Sequence, residues 1–265
     1  MTDLAAIGAR LLGGTLRRST AIHGGDLSDV VRIALEDGRE AIVKGGPMVE
    51  AEGAMLSAMV ASGTRAPQVM AVGEGALVME LLDTGGSSDW ASAGVELAKL
   101  HNATGDRYGW HEDYAFGRVA IPNGWSNDWP AFWGERRLLT HLPHVPADLG
   151  RRLEALAAGL ADRLPAGPMA SLLHGDLWSG NVLFGRDGAA FIDPACYYGH
   201  AEVDFAMLEL FGGPSRDFYA AYGATEPGRL ERLPIYQLWP ALVHLRLFGS
   251  GYRPMVERLL AAVGL

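Results

Sequence analysis

A single cysteine, Cys196, stands in 265 residues, so no disulfide can form within the chain, and a reducing compartment fits. Lysine is almost as rare: of the 22 basic residues only Lys44 and Lys99 are lysines. Basic charge as a whole falls short. Asp and Glu outnumber Lys and Arg by 31 to 22, which leaves a net charge of −9 and a pI near 5.3. That balance argues against the basic face a nucleic-acid partner would need. No apolar run is long and uncharged enough for a membrane span, and no basic segment with a short apolar core opens the chain, so a cytoplasmic location without a membrane partner is expected. Cys and His clusters at metal-ligand spacing are missing, as is a Gly-x-Ser-x-Gly nucleophile elbow. Internal repeats and low-complexity tracts are also missing. With 49% of residues hydrophobic, the chain can still bury a large core, as one two-lobed unit or two small domains.

The densest chemistry lies in His174-Gly175-Asp176-Leu177-Trp178-Ser179-Gly180-Asn181 and, shortly after, Ile192-Asp193-Pro194. Between them, Val182-Leu183-Phe184 and Ala189-Ala190-Phe191-Ile192 read as two short strands joined by Gly185-Arg186-Asp187-Gly188, a hairpin signal. A hairpin turns the chain back on itself and brings Asn181 beside Asp193. Asn181 follows Asp176 by five positions, the spacing of a protein-kinase catalytic loop. Phosphoryl transfer needs such a set: one carboxylate to accept the proton of an attacking hydroxyl, and an amide and a second carboxylate to hold Mg²⁺ against nucleotide phosphates. Asp176 is therefore the candidate base, and Asn181 and Asp193 are the candidate metal ligands. An acidic turn flanking a buried hairpin would account for each residue singly, but not for all together.

Upstream, Thr2-Asp3 can cap a helix over Leu4 to Leu12 that Gly13-Gly14 stops. Apolar stretches then alternate with turns through Val30–Leu35, Asp37-Gly38 and Ala41–Lys44, the strand order of a kinase N-lobe. Gly24 and Gly25 sit where a loop could close over phosphates with backbone N–H groups. Asp26 and Asp29 would repel phosphates there unless they turn away or pair with arginine. Lys44 ends an apolar strand, where an unpaired ammonium is costly, and Glu50 or Glu52 on a helix from Met48 to Ala61 can pair with it. Pro67–Val72 and Ala76–Glu80 read as further strands. The Glu80 to Leu82 crossover, followed by Gly85-Gly86-Ser87-Ser88, is where main-chain groups could meet adenine. This divides the chain into an N-lobe over 1–82 and a C-lobe over 83–265. In the C-lobe, Leu97, Leu100 and His101 share one helix face between Ser87 and Asn102, which makes His101 a core histidine. Residues 105–128 look like an ordered loop of functional length. Two helices, Trp129 to Leu142 and Leu149 to Leu164, precede the catalytic strand. Four more are expected after it: Glu202–Phe211, Phe218–Tyr222, Leu230–Phe248 and Pro254–Val263.

The stretch from His174 to Gly213 resembles the fructosamine kinase family, within the larger group of aminoglycoside-phosphotransferase-like small-molecule kinases. The His-Gly-Asp and Ile-Asp elements belong to the whole group. The narrower features are Trp178-Ser179-Gly180, Asp193-Pro194-Ala195 and Tyr198-Gly199-His200. Upstream, Leu97-Ala98-Lys99-Leu100-His101, Tyr108-Gly109-Trp110, Asn123-Gly124-Trp125 and the run from Asp128 to Leu138 keep the family's order. The resemblance implies an α+β, protein-kinase-like bilobal fold, with a small N-lobe of antiparallel sheet plus helix and a larger, mostly helical C-lobe. It also implies ATP and Mg²⁺. Glu52, four before Leu56, matches the family's Glu-x-x-x-Leu pattern and would hold Lys44 toward the phosphates. Asp204 would brace the catalytic loop and His174 would organise it. The implied acceptor is a ketosamine (fructosamine, ribulosamine or erythrulosamine), free or on a protein lysine. Its phosphorylation would destabilise the adduct and release the amine, a repair role. Trp178 would form an apolar wall against it, and His200, Glu202, Trp129, Trp133 and Arg136 could reach the acceptor side. A monomer or weak homo-oligomer is expected. Two other readings stay open: a kinase for another small hydroxyl compound, such as an aminoglycoside or choline, and a catalytically silent pseudokinase. Against the second stands the joint presence of Lys44, Glu52, Asp176, Asn181 and Asp193.

Overall fold

The computed structural model describes residues 3–22 and 29–265. Gly24 and Gly25, expected to cover phosphates, lie outside the described residues, as does Asp26. Helix α1 (Leu4–Leu11) starts where the Asp3 carboxylate accepts hydrogen bonds from the Ala5 and Ala6 N–H groups. Strands β1 (Leu16–Ala21), β2 (Asp29–Leu35) and β3 (Glu40–Gly45) follow, then helix α2 (Val49–Ala61) and strands β4 (Val69–Gly73) and β5 (Ala76–Met79). These five strands form an antiparallel sheet in the order β1-β2-β3-β5-β4. β1 is polar and exposed because it is an edge strand, and Arg17 and Arg18 guard it. All four residues of β5 are buried because both faces of the sheet are covered. Ala76 and Val78 join Ile7 and Val43 in a small core with α1, while Leu77 and Met79 face Met55 and Leu56 of α2 in the main core.

From helix α3 (Trp90–Asn102) onward the chain is mainly helical. α3 starts three residues later than Ser87, at the cap made when Asp89 accepts from the Ser92 N–H. The 105–128 segment contains a hairpin that sequence reading did not find, β6 (Tyr114–Phe116) and β7 (Val119–Ile121). The helix expected from Trp129 to Leu142 is three pieces: α4 (Trp129–Trp133), a π-helical turn Gly134–Leu138, and a 3₁₀ stretch Leu139–His144 that contains Pro143. α5 (Ala147–Ala158) ends at Gly159 rather than Leu164. Then come β8 (Ser171–Leu173), the hairpin β9 (Val182–Gly185) with β10 (Gly188–Phe191), and β11 (Tyr197–Gly199), which pairs with β8. Helices α6 (Glu202–Leu210), α7 (Arg216–Tyr222), α8 (Arg229–Phe248) and α9 (Arg253–Ala262) complete the chain. Among the described residues no helix is long and apolar enough to cross a membrane.

Arg137, on the π-helical turn, is wholly buried. It donates to the Pro122 carbonyl and to Asn123 Oδ1, at 2.7 Å each, and lies over the rings of Tyr197 (4.1 Å) and Phe132 (4.8 Å). Aromatic faces and carbonyl dipoles thus replace a carboxylate partner for the guanidinium.

Candidate active site

Three stretches of chain, far apart in sequence, meet in one cleft of about 810 Å³. β3 carries Lys44 to its end, and α2 presents Glu52 from its first turn. The Lys44 ammonium donates to Glu52 Oε1 at 2.8 Å and to Asp193 Oδ1 at 2.9 Å. Burial works against the ammonium, and the two carboxylates outweigh it, holding its pKa above the ordinary lysine value. Burial also lifts the Glu52 carboxyl, against the pull of Lys44. With an ammonium at hydrogen-bond distance from two carboxylates, we take the cluster as ionised.

Asp176 lies on the loop between β8 and β9, half-buried on the cleft floor. Asn181 Nδ2 donates to its carbonyl at 2.8 Å and to Oδ2 at 3.2 Å. Burial pushes the Asp176 carboxyl up to about 8, against the lowering effect of the Asn181 hydrogen bond. Because both Asn181 bonds use its nitrogen, its Oδ1 is left as an acceptor, and Lys44 leaves Asp193 with Oδ2. These are hard oxygen donors, the set that suits Mg²⁺. The β9–β10 register sets Val182 opposite Phe191, and the Ile192 N–H donates to the Asn181 carbonyl at 3.1 Å, so the hairpin does bring the two segments together. Asp193 itself holds φ of +54°, a left-handed conformation that costs a non-glycine residue and that the surrounding contacts must enforce.

The loop is braced from beneath. Asp204, fully buried on α6, accepts from the His174 N–H at 2.7 Å, the Gly175 N–H at 2.9 Å and His101 Nε2 at 3.0 Å. His174 donates its Nε2–H to the Ile192 carbonyl at 2.9 Å and accepts the Asp176 N–H at Nδ1. A carbonyl can only accept, so this fixes the neutral tautomer, and burial lowers the His174 pKa in the same direction. Gly175 has φ of +80°, and a Cβ there would sit 2.0 Å from the Ala195 carbonyl oxygen, so only glycine fits. Trp178 is 42% exposed and lines the cleft. A Cβ on Gly180 would come within 2.2 Å of the Trp178 indole, which explains why glycine stands two positions after the tryptophan.

The remaining expected acceptor residues do not line this cleft. Trp129 and Trp133 are wholly buried, the former donating its indole N–H to the Tyr236 hydroxyl at 2.9 Å. Their helical spacing puts both on the core face of α4. Arg136 lies outside the cleft, near Gly124. His200 is buried, with Nδ1 at 2.8 Å from the Tyr236 hydroxyl, and burial pushes its pKa down to about 3. Glu202 is taken by a two-pronged ion pair with Arg232. His200, Glu202 and Glu226 gather closely enough to suggest a metal, but the Arg232 guanidinium already supplies the countercharge. At the crossover, the Glu80 N–H donates to the Gln68 carbonyl at 2.9 Å, which leaves the Glu80 carbonyl and the Leu82 main chain as the groups that could meet adenine. Neither Glu80 nor Leu82 lines the cleft.

Several lining residues were missed by sequence reading: Tyr114 and Phe116 from the unforeseen hairpin, and Trp239, His244 and Phe248 from α8. Burial, then the charges of Glu52, Asp193 and Asp176, push the Tyr114 hydroxyl well above its ordinary pKa, so it stays a neutral donor beside those carboxylates. The alternation Tyr-Ala-Phe-Gly-Arg-Val-Ala-Ile carried a hairpin signal. Nothing local distinguishes the α8 residues from core.

A family model described as fructosamine kinase matches residues 9–264. A "Probable ketoamine kinase" of Thermus thermophilus is 38% identical over 248 residues, covering 91% of this chain and 92% of that protein. The "Protein-ribulosamine 3-kinase, chloroplastic" of Arabidopsis thaliana is 37% identical over 230 residues, covering 79% of this chain and 70% of the relative. A crystal structure of a Thermobifida fusca protein assigned as a fructosamine-3-kinase superposes with a TM-score of 0.92 at 30% identity, covering 99% of each chain. The architecture is accordingly the protein-kinase-like α+β fold.

Proposed function

Because this chain belongs to the fructosamine kinase family, we propose that it transfers the γ-phosphoryl group of ATP to a sugar hydroxyl of a ketosamine. The donor follows from the family. The Arabidopsis relative named as a 3-kinase points to the hydroxyl at C3. One observation carries the chemistry: Lys44 bridges Glu52 and Asp193 at 2.8 and 2.9 Å in the same cleft that holds Asp176.

In this reading Lys44, oriented by Glu52, binds the nucleotide phosphates as a point charge. Asn181 and Asp193 would hold Mg²⁺, whose charge neutralises phosphate oxygens when it is bound. Asp176 orients the acceptor hydroxyl. As the hydroxyl oxygen bonds to the γ-phosphorus and the bond to the β-phosphate bridging oxygen breaks, its proton passes to the Asp176 carboxylate and ADP leaves. A base with a pKa near the working pH is well matched to that transfer. Trp178 faces the acceptor, its half-exposed indole supplying an apolar wall for the sugar. Asp204, His101 and His174 act at one remove, by holding the loop that carries Asp176.

The direct test incubates the purified protein with ATP, Mg²⁺ and a fructosamine, and locates the new phosphate by ³¹P and ¹H NMR. Phosphate on a ketosamine sugar hydroxyl is the expected outcome. Turnover of an aminoglycoside or choline with none of any ketosamine would overturn the assignment.

A further inference from the structure

The cleft does not end at the groups that would handle phosphate. Its lining also includes the end of α6 and one side of α8, where Phe211, Trp239, Val243, His244 and Phe248 face it together with Tyr252. Four charged side chains line the described part of the cleft, Lys44, Glu52, Asp176 and Asp193, and all four stand at the phosphoryl-transfer end. The far end is a nest of rings. His244 lies 4.6 Å from Phe211, 5.3 Å from Phe248 and 5.1 Å from Tyr252, centroid to centroid. Its Nδ1 is 2.8 Å from the Pro240 carbonyl. Because a carbonyl accepts only, Nδ1 carries the proton, and burial favours the neutral ring. His244 thus presents an uncharged aromatic surface.

Trp178 at 42% and Phe248 at 50% are among the few large apolar side chains exposed on the described residues, and both open onto this one cleft. Exposed rings at the mouth of a pocket mark a binding surface. A ketosamine has two parts: a sugar, which must reach Asp176, and an amine substituent, which must go elsewhere along the same cleft. No charged side chain is among the described residues lining the far end, and the charge at its rim is the Arg118 guanidinium on the Arg246 and Leu247 carbonyls, so a substituent's ammonium would meet no anion and would lose its hydration there. A flat apolar group would meet ring faces and edges on several sides.

Resting on the ketosamine reading, we propose that the far end of the cleft is a specificity pocket for the amine part. The preferred acceptor is then a ketosamine of an arylalkyl amine, its ring seated among Phe211, His244 and Phe248. The pocket, and not the sugar end, sets which glycated amine this chain repairs.

The test measures kcat/KM for the full chain with MgATP on two matched fructosamines. One derives from phenethylamine and the other from lysine, linked through its side-chain nitrogen with the α-ammonium and carboxylate free. The phenethylamine derivative should be preferred by at least about tenfold, the scale on which a hydrophobic pocket discriminates. Phe248→Ala should cut that preference at least about fivefold, and Phe248→Leu, which keeps apolar bulk, should cut it less. The readout is a ratio from one preparation, so loss of folded protein cancels. Equal or reversed preference, or a ratio unmoved by Phe248→Ala, overturns the pocket assignment and leaves the kinase reading standing. Failure to phosphorylate either fructosamine or the matching ribulosamines and erythrulosamines overturns the ketosamine reading, and this proposal with it.

Discussion

Replacing Glu52 by Gln removes one charge from a buried triangle while keeping its shape. Lys44 and Glu52 have side chains only 10% and 3% exposed, and their charged atoms are 2.8 Å apart. Coulomb's law with an effective dielectric of about 20 gives roughly 6 kcal/mol at that separation. Relief of the desolvation that Glu52 suffers offsets part of this, and Lys44 keeps Asp193 at 2.9 Å on a side chain that is 40% exposed. The net loss should therefore fall near the lower end for breaking a buried pair, about 3 kcal/mol. For a chain of this size that corresponds to a Tm lower by roughly 6–12 °C. Function should suffer separately. An ammonium no longer held by Glu52 is drawn to Asp193, the group needed for the cation, so kcat/KM for ATP should fall at least about tenfold. Urea denaturation and ADP-coupled kinetics on the same preparation measure both. A stability loss under about 0.5 kcal/mol with unchanged use of ATP would refute the claim that Glu52 positions Lys44.

Trp178→Ala should raise the acceptor KM at least about tenfold while leaving the ATP KM within about twofold, because in the proposed reading the indole, 42% exposed on the cleft, faces the acceptor. Equal loss for both substrates would make it a packing residue. His141 tests the buried histidines through pH. Burial, helped by the positive Arg246, pushes its pKa down to about 3, so the folded state refuses a proton that the unfolded state accepts below about 6.5. Its contribution to stability is whole above that pH and is lost as the pH falls from about 6.5 toward 3. Between pH 6.5 and 5 the wild type should lose about 2 kcal/mol more than His141→Leu, at about 1.4 kcal/mol per pH unit. Urea midpoints with the same pH dependence in both proteins would contradict this.

What the sequence made legible was what lies close together along the chain. Asp176, Asn181 and Asp193 are gathered by one loop and one hairpin, and a hairpin announces itself through its turn and its alternation. Lys44 and Glu52 lie eight residues apart across a single strand-to-helix connection. Residues that come together from afar left no such trace. The cleft wall draws on α8, whose apolar residues face the core on one side and the cleft on another. Trp129 and Trp133 show the same ambiguity from the opposite side: an aromatic pair at helical spacing suits a sugar-binding wall or a core, and burial decided for the core. Arg137 was passed over in favour of its neighbour Arg136, since a buried guanidinium held by carbonyls and ring faces has no local signature. The hairpin of Tyr114 did have one, hidden in a segment read only as a long loop.

Asp176→Asn is the most direct measurement, because the amide keeps the size of the carboxylate but loses its charge and with it the ability to take a proton. Turnover of a fructosamine should fall by about 10²- to 10⁴-fold while the Kd for MgATP, measured by calorimetry, stays within about threefold. Near-normal turnover in Asp176→Asn would mean that proton transfer does not run through this carboxylate, and the account of the cleft would fail.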